Sequence, residues 1–101
     1  MQITIVGLGT MGVSLGLALR RALPQVRLVG HDPDPERARE ALRHQAVDRT
    51  DWNLPGACEG ADLVLLALPL AEIEGTLRAI APALEEGTLV MDTAELKAPV
   101  M

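Results

Sequence analysis

The sequence predicts an α/β domain with a doubly wound, mostly parallel sheet in three layers, α/β/α. Three observations carry that reading. A β-branched run, Ile3-Thr4-Ile5-Val6, passes directly into Gly7-Leu8-Gly9-Thr10-Met11-Gly12 and then into a long apolar stretch with no proline before Pro24, which reads as strand, tight glycine turn and helix. Strand-like and helix-like segments alternate along the whole chain in the order β-α-β-α-(β)-β-α-β. The segment Asp62-Leu63-Val64-Leu65-Leu66-Ala67-Leu68-Pro69 is apolar on both faces, as a central parallel strand requires.

Taken in order, the first strand covers about Ile3 to Val6 and the first helix about Thr10 to Ala22. Val13, Leu15, Leu17, Leu19 and Leu23 cover most of that helix's circumference, which predicts a well-buried helix, and Gly12 and Gly16 give it a smooth stripe for close packing on the sheet. Arg27 to Gly30 reads as the second strand. Asp34 is a suitable N-cap with Pro35 at the first helical position, opening a second helix to about Gln45. Its apolar stripe is thin (Ala38, Ala41, Leu42), and Glu36, Arg39, Glu40 and Arg43 pair at three-residue spacing outside it. Residues 46–60 are the least regular part, with Val47, Trp52 and Leu54 as packing anchors for a short strand or a loop. After the apolar fourth strand, a helix of about Ala71 to Ala83 buries Ile73, Leu77, Ile80 and Leu84, and a last strand covers about Thr88 to Met91. Asp92 to Pro99 reads as a loop leading into one more helix.

Composition narrows the function classes. The chain has 101 residues, a formal net charge of −5, one Trp, no Phe and no Tyr. The core is therefore aliphatic, and the charge and the scarcity of aromatic rings argue against nucleic acid as a partner. A bound nucleotide would sit on backbone amides. The single Cys58 excludes an internal disulfide and a cysteine-based zinc site, and fits a reducing cytoplasm. No segment has the length of a membrane span, and the N-terminal segment lacks the basic start of a signal peptide.

In doubly wound sheets ligands bind outside the carboxyl ends of the strands. Distinctive residues fall at those ends: Gly7, Leu8, Gly9, Thr10, Met11 and Gly12 after the first strand, Asp32 after the second, Leu68 and Pro69 after the fourth, Asp92 and Thr93 after the fifth. Gly7 permits the turn, Gly9 lets a pyrophosphate approach the backbone, and Gly12 packs the helix on the strand, with the helix N-terminus holding the anion. Asp32, twenty residues beyond Gly12, is placed to accept from the adenosine ribose hydroxyls and to repel the 2′-phosphate of NADP, which favours NAD. His31 and His44 lie away from the nicotinamide end, and no triad, metal cluster or close carboxylate pair stands out. No residue is assigned a catalytic role, although Asp92, Thr93, Glu95 and Lys97 fall near the nicotinamide side.

These residues form a family resemblance. The run from Ile3 through Val13-Ser14-Leu15-Gly16 resembles the opening of prephenate dehydrogenases, as do Val29-Gly30-His31-Asp32, Ala61 to Pro69, and Asp92 with Lys97-Ala98-Pro99-Val100. The resemblance implies a Rossmann-type NAD-binding domain of an enzyme that oxidatively decarboxylates prephenate, or arogenate, with hydride transfer to NAD in tyrosine synthesis. Other dehydrogenases of the 6-phosphogluconate and β-hydroxyacid superfamily share the glycine motif, and a stand-alone NAD-binding module without catalysis is the rival from another class. Two departures stand out. Glu95 occupies a position that is usually serine in the family, and the family's catalytic histidine, substrate-binding arginines and helical dimerisation domain lie beyond this chain. The expectation is therefore one domain, residues 1–101, truncated before its last elements and inactive alone. It would meet its small-molecule substrate through the missing domain, with homodimerisation left open.

Overall fold

The computed structural model describes residues 1–93. Five strands form a wholly parallel sheet in the order β3-β2-β1-β4-β5: β1 (Gln2–Val6), β2 (Arg27–His31), β3 (Arg49–Thr50), β4 (Leu63–Leu66) and β5 (Leu89–Asp92). Between them lie α1 (Thr10–Ala22), α2 (Pro35–Arg43), α3 (Leu54–Cys58) and α4 (Leu70–Ile80), the last prolonged by a 3₁₀ turn, Ala81–Ala83.

The central strands are buried on both faces because helices cover both. Ile3, Ile5, Leu28 and Leu65 meet Val47 and Ala41 on the α1/α2 side, and Val6, Val64 and Leu66 meet Cys58, Ile73 and Ile80 on the α3/α4 side. A polar seam closes the second layer. Thr4 Oγ1 donates to the Ala57 carbonyl at 2.6 Å, the Gln2 amide nitrogen Nε2 donates to the Glu59 carbonyl at 3.1 Å, and Asp62 accepts from the Gln2 N–H at 2.8 Å. Buried polar groups on β1 are thereby satisfied by the end of α3.

Most elements stand where the sequence pattern puts them, and the differences have local causes. The second helix ends at Arg43 rather than Gln45 because Gln45 adopts a left-handed conformation, φ 62°, that no helix can continue through. Helix α3 lies in the irregular region: Asn53 caps it by accepting from the Gly56 N–H at 3.0 Å, and Pro55 supports its first turn. Trp52 is not a packing anchor. Asp51 accepts from the Asn53 N–H at 2.9 Å, and this tight turn carries Trp52 at its tip, 87% exposed. Helix α1 buries only Gly12 and Gly16 fully; its leucines pack against the sheet from one side and are otherwise partly open. The glycine stripe also meets turns more than strands, since a Cβ at Gly16 would collide with the Ala46 carbonyl. Leu77 is exposed, because the buried face of α4 is set by Ile73 and Ile80. Leu89 (65% exposed) and Met91 face the α1/α2 side of β5, where no described helix covers the edge. The predicted extra helix lies outside the described residues.

Burial of Cys58 pushes its thiol up from 9.0 to about 11. Its contribution to stability is complete below about pH 9 and declines as the pH rises toward 11, since the unfolded thiol ionises first. Denaturant titrations at about pH 8 and pH 10 are expected to show a loss of stability that Cys58→Ala reduces; an unchanged slope in the variant contradicts the assignment.

Candidate functional site

The carboxyl ends of β1, β2, β4 and β5 converge on one edge, and the turn after β1 is the tightest piece of it. Gly7 has φ +100°, a conformation costly for any side chain, and a Cβ there would collide with the Ala67 carbonyl at the end of β4. Its N–H donates to the His31 carbonyl at 2.8 Å. A Cβ at Gly12 would collide with the Gly7 carbonyl, so α1 sits directly on the turn. Gly9 differs from both. It is the N-cap of α1 with φ −76°, and a Cβ there meets nothing within 4 Å. The protein's own packing demands glycine at positions 7 and 12 but not at 9.

The start of α1 is also electrostatically open. Gly9 offers no side-chain cap and the first turn holds no acid. Among the described α-helices it alone lacks both, since Asp34 and Glu36 serve α2, Asn53 caps α3 and Glu72 lies in the first turn of α4. Its unpaired N–H groups and positive dipole end therefore remain available to an anion.

Asp32 closes the other side. It is 8% exposed, its Oδ2 accepts from the Leu8 N–H at 2.8 Å and its Oδ1 from the Asp34 N–H at 2.8 Å. A cleft of about 490 Å³ runs between Asp32 and the end of β4. Of the residues singled out in the sequence, Gly7, Gly9, Thr10, Met11, Asp32, Leu68, Pro69 and Thr93 line it. Leu8 and Gly12 do not. The Leu8 side chain is buried in the core and its amide is committed to Asp32, while Gly12 lies beneath the turn. Pro33, Ala67, Arg37 and Glu72 complete the wall; Glu72 reads in the sequence as an ordinary first-turn helix residue, whereas Arg37 is the basic residue whose position after Asp32 could relax a preference for NAD, although none follows Asp32 directly. Arg37 is the one cationic side chain of this cleft among the described residues. Its nearest carboxylate, Asp34, is 4.0 Å away, which leaves the guanidinium loosely held.

The histidines lie apart from the cleft. His31 is buried with Nδ1 2.9 Å from the Asp51 carbonyl, and His44 is 3.2 Å from Glu40 at the end of α2. Glu95 and Lys97 fall outside the described residues. A larger hollow of about 570 Å³ lies beside Trp52, but the helix start it borders, that of α2, is already capped by Asp34.

A parallel sheet of this strand order with a glycine turn and an uncapped helix start defines a Rossmann-type nucleotide-binding domain. Residues 15–101 match the family described as "Prephenate dehydrogenase, nucleotide-binding domain", and the chain belongs to that family. The match begins after the glycine turn, so it rests on the rest of the domain and not on that motif. The chain is 31% identical to the prephenate dehydrogenase of Lactococcus lactis over 101 residues, covering 99% of itself and 28% of that protein. Among solved structures it is similar to Synechocystis arogenate dehydrogenase (TM-score 0.82, 32% identity, 91% of this chain and 32% of that one). It is likewise similar to Aquifex aeolicus prephenate dehydrogenase in complex with hydroxyphenyl propionate and NAD+ (TM-score 0.84, 25% identity, 92% of this chain and 33% of that one). The chain thus spans about a third of the length of these relatives.

The glycines make a paired prediction. Gly12→Ala forces Cβ into the Gly7 carbonyl and is expected to destabilise by about 1–3 kcal/mol, whereas Gly9→Ala stays within about 0.5 kcal/mol of the parent. Thermal or denaturant unfolding of both variants checks this; a large loss at Gly9 contradicts the open space seen there.

Proposed function

We propose that the chain is the NAD-binding part of a dehydrogenase that oxidatively decarboxylates prephenate or arogenate in tyrosine biosynthesis, a cytoplasmic step. The observation that carries the cofactor reading is the start of α1: uncapped, free of acid, and open above Gly9. Family membership and the NAD+ in complex with the Aquifex aeolicus relative support it.

In this reading the Thr10 and Met11 N–H groups hold the pyrophosphate, and Gly9 leaves room for it. The Asp32 carboxylate accepts from the adenosine ribose hydroxyls and opposes a 2′-phosphate. Gly7, Leu68, Pro69 and Thr93 line the path toward the nicotinamide. NAD supplies the hydride acceptor when bound. The described residues orient the cofactor, and we assign none of them the work of taking the substrate's proton. We assign that work, and the substrate clamp, to protein outside this domain; the exposed Leu89 and Met91 side of β5 offers it, or a second copy of the chain, an apolar face. No described helix is long and apolar enough to cross a membrane.

Trp52, the one tryptophan, lies in the hollow that shares Asp32 and Pro33 with the cleft and serves as a built-in reporter. Following its emission, NADH is expected to bind several-fold more tightly than NADPH, and Asp32→Ala to narrow that ratio. Equal affinities overturn the role of Asp32, and no binding of either nucleotide overturns the cofactor reading. Gly9→Ala is expected to weaken NADH by about tenfold, ~1.4 kcal/mol, without loss of fold.

A further inference from the structure

We propose that Asp32 sets the shape of the glycine turn before any nucleotide arrives, so that its carboxylate positions the phosphate-binding backbone as well as meeting the ribose. The inference rests on the nucleotide-binding reading above and adds a second role to a residue that reading treats only as a ligand contact.

The turn is tied to the end of β2 at two consecutive amides. Gly7 N–H donates to the His31 carbonyl at 2.8 Å and Leu8 N–H donates to Asp32 Oδ2 at 2.8 Å. Immediately beyond them come Gly9 and the open N–H groups of α1. The second tie is charge-assisted and lies at a side chain only 8% exposed, which makes it stronger than a surface contact. The other oxygen is anchored by the Asp34 N–H at 2.8 Å, fixing the carboxylate plane against the loop that opens α2. One group therefore joins the phosphate turn, the end of β2 and the start of α2.

The remaining acceptor capacity is what gives the arrangement two roles. Each carboxylate oxygen can accept two hydrogen bonds and here uses one within the protein, leaving one on each for a ribose diol. The diol then binds without displacing the tie to Leu8. A neutral replacement cannot reproduce this. Asparagine presents one oxygen and one NH₂, so its NH₂ must face either the Leu8 or the Asp34 N–H, donor against donor. Alanine leaves the Leu8 amide without its carboxylate partner beneath a fully buried side chain. Removing the acid to admit a 2′-phosphate therefore loosens the turn that both cofactors need. NADPH binding gains little from the change while NADH binding falls.

The test uses a ligand that Asp32 cannot contact through hydroxyls, 2′,3′-dideoxyadenosine diphosphate, titrated beside NADH into the 101-residue chain and its variants. Asp32→Ala and Asp32→Asn are expected to weaken the dideoxy nucleotide several-fold, although it has no diol to lose. Asn53→Ala, which removes the cap of α3 away from the cleft, is expected to lower stability and leave that affinity unchanged. Amide hydrogen exchange in the unmodified chain is expected to show Leu8 protected far more than Met11, whatever the variants do. If the dideoxy nucleotide binds parent and Asp32→Ala equally while NADH weakens, Asp32 acts through the ribose alone; the positioning role is overturned and the nucleotide-binding reading stands. Equal weakening by Asn53→Ala, or rapid exchange at Leu8, also overturns it. Failure of the parent to bind either nucleotide overturns the underlying reading, and this inference with it.

Discussion

The seating of α1 on the turn after β1 governs the site. Gly12 lies against the carbonyl of Gly7, and Gly7 in turn lies against the carbonyl of Ala67. These are contacts of backbone on backbone, and they leave no room for a methyl group. They place the first N–H groups of α1 directly above the edge of the sheet, between the ends of β2 and β4, where hydrogen-bond donors cannot be supplied by a flexible side chain with the same fixity. The acidic net charge of the chain is no obstacle to an anion there, because the attraction comes from peptide dipoles and not from a basic surface.

From that seat the remaining features follow in sequence. A helix held so close needs glycine at 12 and again at 16, where it passes the Ala46 carbonyl. The cleft that results is walled by the ends of β2 and β4, and its polarity comes from Asp32, Glu72 and Arg37. The opposite layer does different work. Thr4 and Gln2 donate to carbonyls at and just after the end of α3, and Asp62, immediately before β4, accepts from the Gln2 N–H, which ties the start of β1, the strand that carries the turn, to the start of β4.

Much of this was legible in the sequence because it depends on local chemistry. The apolar run of β4, the Asp34-Pro35 start of α2 and the glycine spacing each have one favoured structural reading, and the ion pairs Glu36–Arg39 and Glu40–Arg43 form at 2.9 and 2.8 Å as their spacing dictates. What escaped depends on partners distant in the chain. The exposure of Trp52 follows from a tight turn at Asp51 and a strand of only two residues, and hydrophobicity alone points the other way. Helix α3 is five residues long, too short for periodicity to reveal, though Asn53 and Pro55 marked its start. The openness of α1 depends on what packs on its outer side, which its own pattern does not encode. The tie between Asp32 and the Leu8 amide spans 24 positions and has no sequence signature. It separates the carboxylate as ligand contact from the carboxylate as scaffold.

The central claim is that the start of α1 and Asp32 together receive a dinucleotide. A crystal structure of the chain with NAD+ tests it most directly. Pyrophosphate oxygens are expected within hydrogen-bond distance of the Thr10 and Met11 N–H groups, the adenosine ribose hydroxyls on Asp32, and the Leu8-to-Asp32 bond intact. A cofactor seated in the hollow beside Trp52, with the α1 amides facing only water, would contradict it.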